Sequence, residues 1–321
     1  MTMQAILLTT YPEAFLNKGG GEYELLNIAH NLRKLGLVAD IYSPYSKDIS
    51  DYDTVIHFSV NASGLPMAEA VKAAGKKFIL WPNFWVNKSA ASTNAVAAHL
   101  AELADLVIFK SRIEKANFES VAPLPDEKTL IIPSAVDPIF LEAAPKNFFR
   151  ESFGLDEYLV WIGIFEPRKN QLGTIFALHD LELPIVFIGN YRDESYYSAC
   201  KVAAPDHFVF LEPMEQGSDI LRAAIRESRL YLEPTFEPAG KSVIEAAISG
   251  ARILVSNAPW EREHLGRFAV YVNPKDPQSI RGGVAHALAT SVDPEQVRTL
   301  AQKHLMPRVL DRLVAFLTGA A

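Results

Sequence analysis

One cysteine, Cys200, stands among 321 residues. No intrachain disulfide can form, which suits a reducing compartment. The chain also lacks any long basic run, and its formal net charge is −7. Both argue against a general binder of nucleic acid. No stretch approaches the roughly 20 apolar residues of a membrane-spanning helix. Residues 1–8 are too short for a signal peptide and lack its charged start. We therefore expect a cytoplasmic protein. A peripheral contact at the inner face of the membrane needs only a surface patch and stays open. His30, His99, His264 and His304 are scattered without zinc-ligand spacing, so no metal is expected. Asp51-Tyr52-Asp53 has D-x-D spacing but falls just before a strand, where it reads as a turn. There is no G-x-G-x-x-G dinucleotide fingerprint and no G-K-[ST] ending of a P-loop.

What is present is ordinary in amount and regular in order. The chain is 49% hydrophobic and 21% charged, as soluble globular proteins are, and long enough for two domains with separate cores. Short apolar runs recur, as buried parallel strands require: 4–9, 39–42, 54–57, 77–81, 106–109 and 129–132. Helical patterns lie between several of them, at 22–34, 67–74 and 93–103. The alternation restarts at 158–162 and continues through 184–188, 208–210, 230–232, 252–255 and 269–272. Helical stretches again intervene, and 294–317 reads as helical and amphipathic. This predicts two doubly wound α/β domains, joined near 138–153, that face a ligand-binding cleft at the carboxyl ends of their strands. The domains are expected over 1–145 and 146–303, with a helix over 304–321 packing back on the first.

Three stretches carry candidate chemistry. The first is 230–250, LYLEPTFEPAGKSVIEAAISG, where a strand leads through Gly240 into a helix. The backbone N–H groups around Ala239, Gly240 and Lys241 have no intrahelical acceptor and suit an anion such as a diphosphate. Glu237 and Glu245 flank that helix start, and carboxylates accept hydrogen bonds from sugar hydroxyls. Taken alone, a loop cap and a solvated helix residue explain an E-x7-E pattern equally well. The second is 158–171, YLVWIGIFEPRKNQ, where a strand runs into Gly163 and a loop presents Arg168 and Lys169. They could neutralise a departing diphosphate or simply face solvent. The third is Gly19-Gly20-Gly21, whose backbone can approach a phosphate or sugar closely or serve as a plain loop. Trp81, Phe84 and Trp85 could stack on an acceptor or touch lipid; core packing is the alternative.

In this order, the stretches resemble the retaining GT-B glycosyltransferases of family 4. GGGEYELLNIAHNLRKLG at 19–36 is similar to that family's glycine-rich loop and first long helix. IIPSAVDPIF at 131–140 resembles its I-P-N-G-V-D segment, WIGIFEPRKNQ at 161–171 its donor loop, and FEPAGKSVIEAAISGARILVSN at 236–257 its E-x7-E motif. The resemblance spans about four-fifths of the chain, with the matches in family order. It implies a metal-independent, retaining transfer of a sugar from a nucleoside-diphosphate sugar to a glycan or lipid-linked acceptor, as in polysaccharide biosynthesis. The nucleotide sugar is a co-substrate, and no cofactor is implied. Glu237 would bind the transferred sugar, Glu245 the ribose, Lys169 the diphosphate, and backbone N–H groups at Ala239–Lys241 the sugar or phosphates. Gly20 and Gly21 would let the first loop close on the donor. Three positions depart from the pattern. Ile164 stands where the family has Arg, and Arg168 is the nearest replacement. Ser134 and Ala135 replace Asn and Gly. No His follows the strand 77–81, where Asn83 is the nearest polar candidate and His57 lies on the preceding strand. These departures leave two alternatives standing: a non-catalytic binder of sugar nucleotides or glycans, and a sugar-nucleotide epimerase.

Overall fold

A computed structural model describes residues 4–16, 20–84 and 91–319 of the chain. Gly19 and Trp85 lie outside the described residues. By contacts the chain divides into two units, Met1–Ala135 with Leu305–Ala321, and Val136–His304.

The first unit holds β1 (Ala5–Thr9), β2 (Val38–Ile41), β3 (Thr54–Phe58), β4 (Lys77–Trp81), β5 (Leu106–Phe109) and β6 (Thr129–Ile131). They form one parallel sheet in the order β2-β1-β3-β4-β5-β6. Alternate side chains of each strand feed opposite faces. Ile6 and Leu8 pack with Leu25, Ile28 and Leu32 of the helix Gly20–Lys34. Leu7 packs on the other face with Val71 and Leu100, from the helices Gly64–Ala73 and Ala91–Leu103. Both faces are covered, so β3 and β5 are buried along their whole length.

The segment expected to be helical over 294–317 forms two helices, Pro294–His304 and Asp311–Thr318. Pro307 lies between them and has no N–H to continue a helical ladder. The break also divides the segment between units. Met306, Leu310, Leu313 and Leu317 are buried in the same cluster as Ile6 and Leu25, whereas 294–304 belongs to the second unit.

The second unit holds β7 (Leu159–Ile162), β8 (Ile185–Ile188), β9 (Val209–Leu211), β10 (Leu230–Glu233), β11 (Ile253–Ser256) and β12 (Ala269–Val272). They too form one parallel sheet, in the order β12-β11-β10-β7-β8-β9. The unit begins at Val136, ten residues before the expected boundary at 145/146, because Arg222 and Arg226 hold the connecting segment. Arg222 Nη1 donates to the carbonyls of Glu142 at 3.1 Å and Ala143 at 3.0 Å, and Arg226 Nη2 donates to that of Phe140 at 2.8 Å.

Strand order locates the crevices. In the second unit the chain winds outward from β7 to β9, returns to place β10 beside β7, and then winds the other way. The reversal between β7 and β10 is a topological switch point, where loops leave in opposite directions and open a ligand crevice at the strand ends. The first unit has its own switch point between β1 and β3. No helix among the described residues is long and apolar enough to cross a membrane.

Candidate functional site

The loops leaving β7 and β10 are tied together by hydrogen bonds. Asn170, with a left-handed backbone (φ 63°), donates through Nδ2 to the carbonyls of Pro234 and Pro274, each at 2.9 Å. Phe236 N–H donates to the carbonyl of Arg168 at 2.9 Å. Arg168 and Lys169 occupy a short 3-10 turn, Pro167–Lys169, and are thereby held against Glu237, which lies far away in sequence.

The charges form an alternating chain. Arg168 Nη1 lies 2.9 Å from Glu237 Oε2, and Lys169 Nζ lies 3.4 Å from Glu237 Oε1. Lys169 Nζ also lies 3.2 Å from Glu233 Oε1. At the other end Arg168 Nη2 meets Glu166 at 3.1 Å, and Arg192 lies 3.6 Å from the same oxygen. Three carboxylates thus alternate with three cations. Burial is the largest influence on Lys169 and works against its charge, but Glu233 and then Glu237 outweigh it, so its pKa is raised. Arg168 is different: its side chain is 61% exposed, against 12% for Lys169.

The helix start is more occupied than the sequence suggests. The helix is Lys241–Ile248, with Gly240 at its N-cap. The N–H of Gly240 donates to Glu233 Oε1 at 2.8 Å, and that of Ala239 donates to Glu261 Oε1 at 2.9 Å. Two of the backbone groups expected to meet a sugar or phosphate are therefore satisfied by internal carboxylates. Both carboxylates are buried, Glu233 at 1% and Glu261 at 0% exposure. Glu261 sits on the helix Pro259–Leu265, and burial raises its pKa to about 7 against the opposing hydrogen bond from Ala239. Tyr231 completes the lining. Its hydroxyl donates to Glu233 Oε2 at 2.9 Å and lies 2.9 Å from Ser242 Oγ.

Glu245 is buried rather than solvated, at 3% exposure. Its Oε1 accepts from Gln216 Nε2 at 2.7 Å and pairs with Lys241 Nζ at 3.3 Å. Gln216 comes from the segment ahead of the helix Asp219–Glu227, and nothing in the sequence around it marked it as a neighbour. The side chain of Lys241 is thus engaged along its own helix, one turn on.

Gly20, Gly21 and Asn83 form a separate group in the first unit. The helix after β1 begins at Gly20 itself, so the glycine turn is partly helical. Asn83 has φ 47°, and its Nδ2 lies 3.8 Å from where a side chain on Gly21 would begin. Its Oδ1 is buried with no hydrogen-bond partner among the described residues. His57 is a core residue. It is 1% exposed, its Nδ1 lies 2.7 Å from Thr9 Oγ1, and burial lowers its pKa to about 4. Trp81 and Phe84 are buried too, at 1% and 3% exposure. Trp81 stacks on Phe58 at 5.2 Å between ring centroids, which leaves neither ring on the surface for an acceptor or lipid. Asp51 ends a short 3-10 turn and Asp53 Oδ2 accepts from the N–H of Ala5 at 2.8 Å, so the D-x-D sequence is a turn. Among the described residues no group of three or more His, Cys, Asp or Glu is placed to hold a metal ion.

No protein-family model matches the chain, and no curated protein matches its sequence. Solved structures do match. One is Anabaena HepE in complex with UDP and glucose, at 15% identity and a TM-score of 0.80, covering 98% of this chain and 100% of that one. Another is sucrose-phosphate synthase from Thermosynechococcus elongatus, at 14% identity and a TM-score of 0.75, covering 99% and 100%. A glycosyltransferase from Rickettsia africae matches at 12% identity and a TM-score of 0.78, covering 98% of each chain. At such identities the likeness is one of fold: two parallel six-stranded sheets with interleaved helices, as in the GT-B glycosyltransferases.

Proposed function

We propose that this protein is a glycosyltransferase that takes a sugar from a nucleoside diphosphate, with retention of anomeric configuration and without a divalent metal, and passes it to a glycan or lipid-linked acceptor. The observation that carries this reading is the meeting of Arg168, Lys169 and Glu237 at the switch point between β7 and β10. Two cations beside a carboxylate suit a donor whose diphosphate and sugar need opposite partners. HepE, which shares the fold, has been seen with UDP and with UDP-glucose, and that supports a nucleotide sugar as the donor.

In this reading the bond from the anomeric carbon to the diphosphate oxygen breaks, a bond to an acceptor hydroxyl oxygen forms on the same face, and that hydroxyl's proton passes to the departing diphosphate. The departing diphosphate carries the negative charge, which Arg168 and Lys169 stabilise. Glu237 accepts hydrogen bonds from hydroxyls of the sugar as its ring becomes positive. Glu245 holds the ribose. With Ala239 and Gly240 already donating to carboxylates, the N–H groups of Lys241 and Ser242 are the ones left to meet phosphate oxygens.

The test is turnover with a panel of UDP-, GDP- and ADP-sugars and sugar or lipid-linked acceptors, with and without EDTA, reading diphosphate release and product anomer. We expect release of one diphosphate per sugar transferred, a retained anomer, and no effect of EDTA. Strict metal dependence or an inverted product would refute the mechanism. Binding without turnover would favour the non-catalytic alternative that Ile164 and the lack of a His after β4 suggest.

A further inference from the structure

Glu233 carries the sharpest unassigned feature of the second unit. It is the last residue of β10, where a buried apolar strand would ordinarily end, and its carboxylate is 1% exposed. Its carboxylate is held from three sides. Oε1 takes Lys169 Nζ at 3.2 Å and the N–H of Gly240 at 2.8 Å, and Oε2 takes the hydroxyl of Tyr231 at 2.9 Å. These partners come from the loop after β7, the N-cap of the helix Lys241–Ile248, and β10 itself. A buried ion pair adds little net stability over apolar side chains of the same volume, since both ions must leave water. What such a pair does supply is direction.

The two carboxylates on Lys169 are not equivalent. Glu237 is 23% exposed, stands on a loop, and is shared with Arg168. Glu233 is enclosed, and a backbone N–H and a buried hydroxyl fix it from two sides. If Glu237 turned to a sugar hydroxyl and had no companion, Lys169 would become a buried cation without a counter-ion, at a cost of several kcal/mol. Glu233 removes that cost. We propose that Glu233 is the positioning residue of this site: it is the permanent counter-ion of Lys169, sets that ammonium against the donor's diphosphate, and leaves Glu237 able to exchange Lys169 for substrate. The part that concerns the diphosphate rests on the function proposed above; the hold on Lys169 does not.

The charged groups that act on Lys169 are Glu233 from β10, Glu237 from the loop 234–240, and Glu261 from the helix Pro259–Leu265; Glu237 is shared with Arg168, which also pairs with Glu166. Among them Glu233 is the one whose charge Glu233→Gln removes while keeping the side chain's length and an oxygen for the Gly240 N–H. The experiment is an NMR titration of the 15Nζ resonance of Lys169 in the full chain without ligand, assigned by its loss in Lys169→Arg. It is paired with calorimetric titration of UDP across pH 7 to 10. We expect the ammonium to titrate at lower pH in Glu233→Gln than in the unaltered chain. UDP affinity should fall about tenfold at neutral pH and decline further with rising pH, where the unaltered chain holds steady. Glu233→Asp, which keeps the charge on a shorter arm, should fall between the two, and it carries the test if Glu233→Gln does not fold. An unmoved Lys169 titration in the folded variants overturns the proposal. A moved titration in a chain that binds no UDP in any form upholds the hold on Lys169 and refutes the donor reading instead.

Discussion

Lys169 and Glu261 show how far a single residue can be read without its surroundings. In the sequence Lys169 is one of two adjacent cations after a strand. In the fold it lies between Glu233 and Glu237, and its charge depends on both. Lys169→Ala would therefore leave buried Glu233 without its cation, a change that costs about 3–5 kcal/mol in comparable pairs. Arg168→Ala removes an exposed side chain and should leave thermal stability nearly unchanged, while weakening diphosphate binding by about 1.5–3 kcal/mol. Differential scanning calorimetry beside ligand titration separates the two effects. Glu261 makes a pH prediction. Its pKa is raised from 4.5 to about 7, so between those values the folded chain holds a proton that the unfolded chain has released. The stability it contributes is complete below about pH 4.5 and is lost as pH rises through 7. Relative to the unaltered chain, Glu261→Gln should gain on the order of 2–3 kcal/mol between pH 5 and pH 8. His57 acts in the opposite sense. Its pKa is lowered from 6.5 to about 4, so its contribution is present above 6.5 and lost as pH falls toward 4. Chemical denaturation of Glu261→Gln and His57→Gln across pH 4 to 8 should show slopes that change in opposite directions; parallel slopes would contradict both placements. Neither Glu233 nor Glu261 was legible as a site residue. The first closes an apolar run and the second lies in PWEREHL, and both gain significance from the loops folded over them.

At the level of elements the sequence was far more legible. Each strand among the described residues lies within a residue of its expected position at either end, because most of them are buried apolar runs. Where the helical ladder breaks within 294–317 was not read from the pattern, since amphipathic periodicity continues on both sides of Pro307 while the ladder does not. Close approaches between loops were also invisible. Gly189 follows β8 and faces Gly163, which follows β7. A side chain on Gly189 would overlap the carbonyl of Gly163. Since that contact is with backbone, Gly189→Ala should destabilise by about 1–3 kcal/mol or more and displace the loop that carries Arg168 and Lys169. Urea denaturation reads the first effect and diphosphate affinity the second. Full retention of both would show that the strand ends are more loosely packed than described.

For the whole molecule, the division into units is set by where side chains are buried. Leu313 and Leu317 complete the core around Ile6, Leu25 and Ile56, although the whole second unit intervenes in sequence. Leu313→Ala and Leu317→Ala should each cost about 2–5 kcal/mol, and the loss should fall on the transition of the first unit if the units unfold separately. Scanning calorimetry that showed no change in either transition would contradict this placement. The doubly wound architecture was legible from alternation alone, and with it the rule that places ligands at switch points. The partners of each charge were not, because ion pairs such as Arg168 with Glu237 join residues from different loops, and no periodicity encodes their distance.

Whether the second unit holds a nucleoside diphosphate between β7 and β10 can be measured by isothermal titration of UDP, GDP and ADP into the unaltered chain and into Arg168→Ala with Lys169→Met, each confirmed folded by circular dichroism and each titrated with and without EDTA. The site described here should bind at least one of the three nucleotides, indifferently to EDTA, and the doubly substituted chain should bind it more than about tenfold more weakly. No binding of any of the three, or an affinity that survives the loss of both cations, would contradict it.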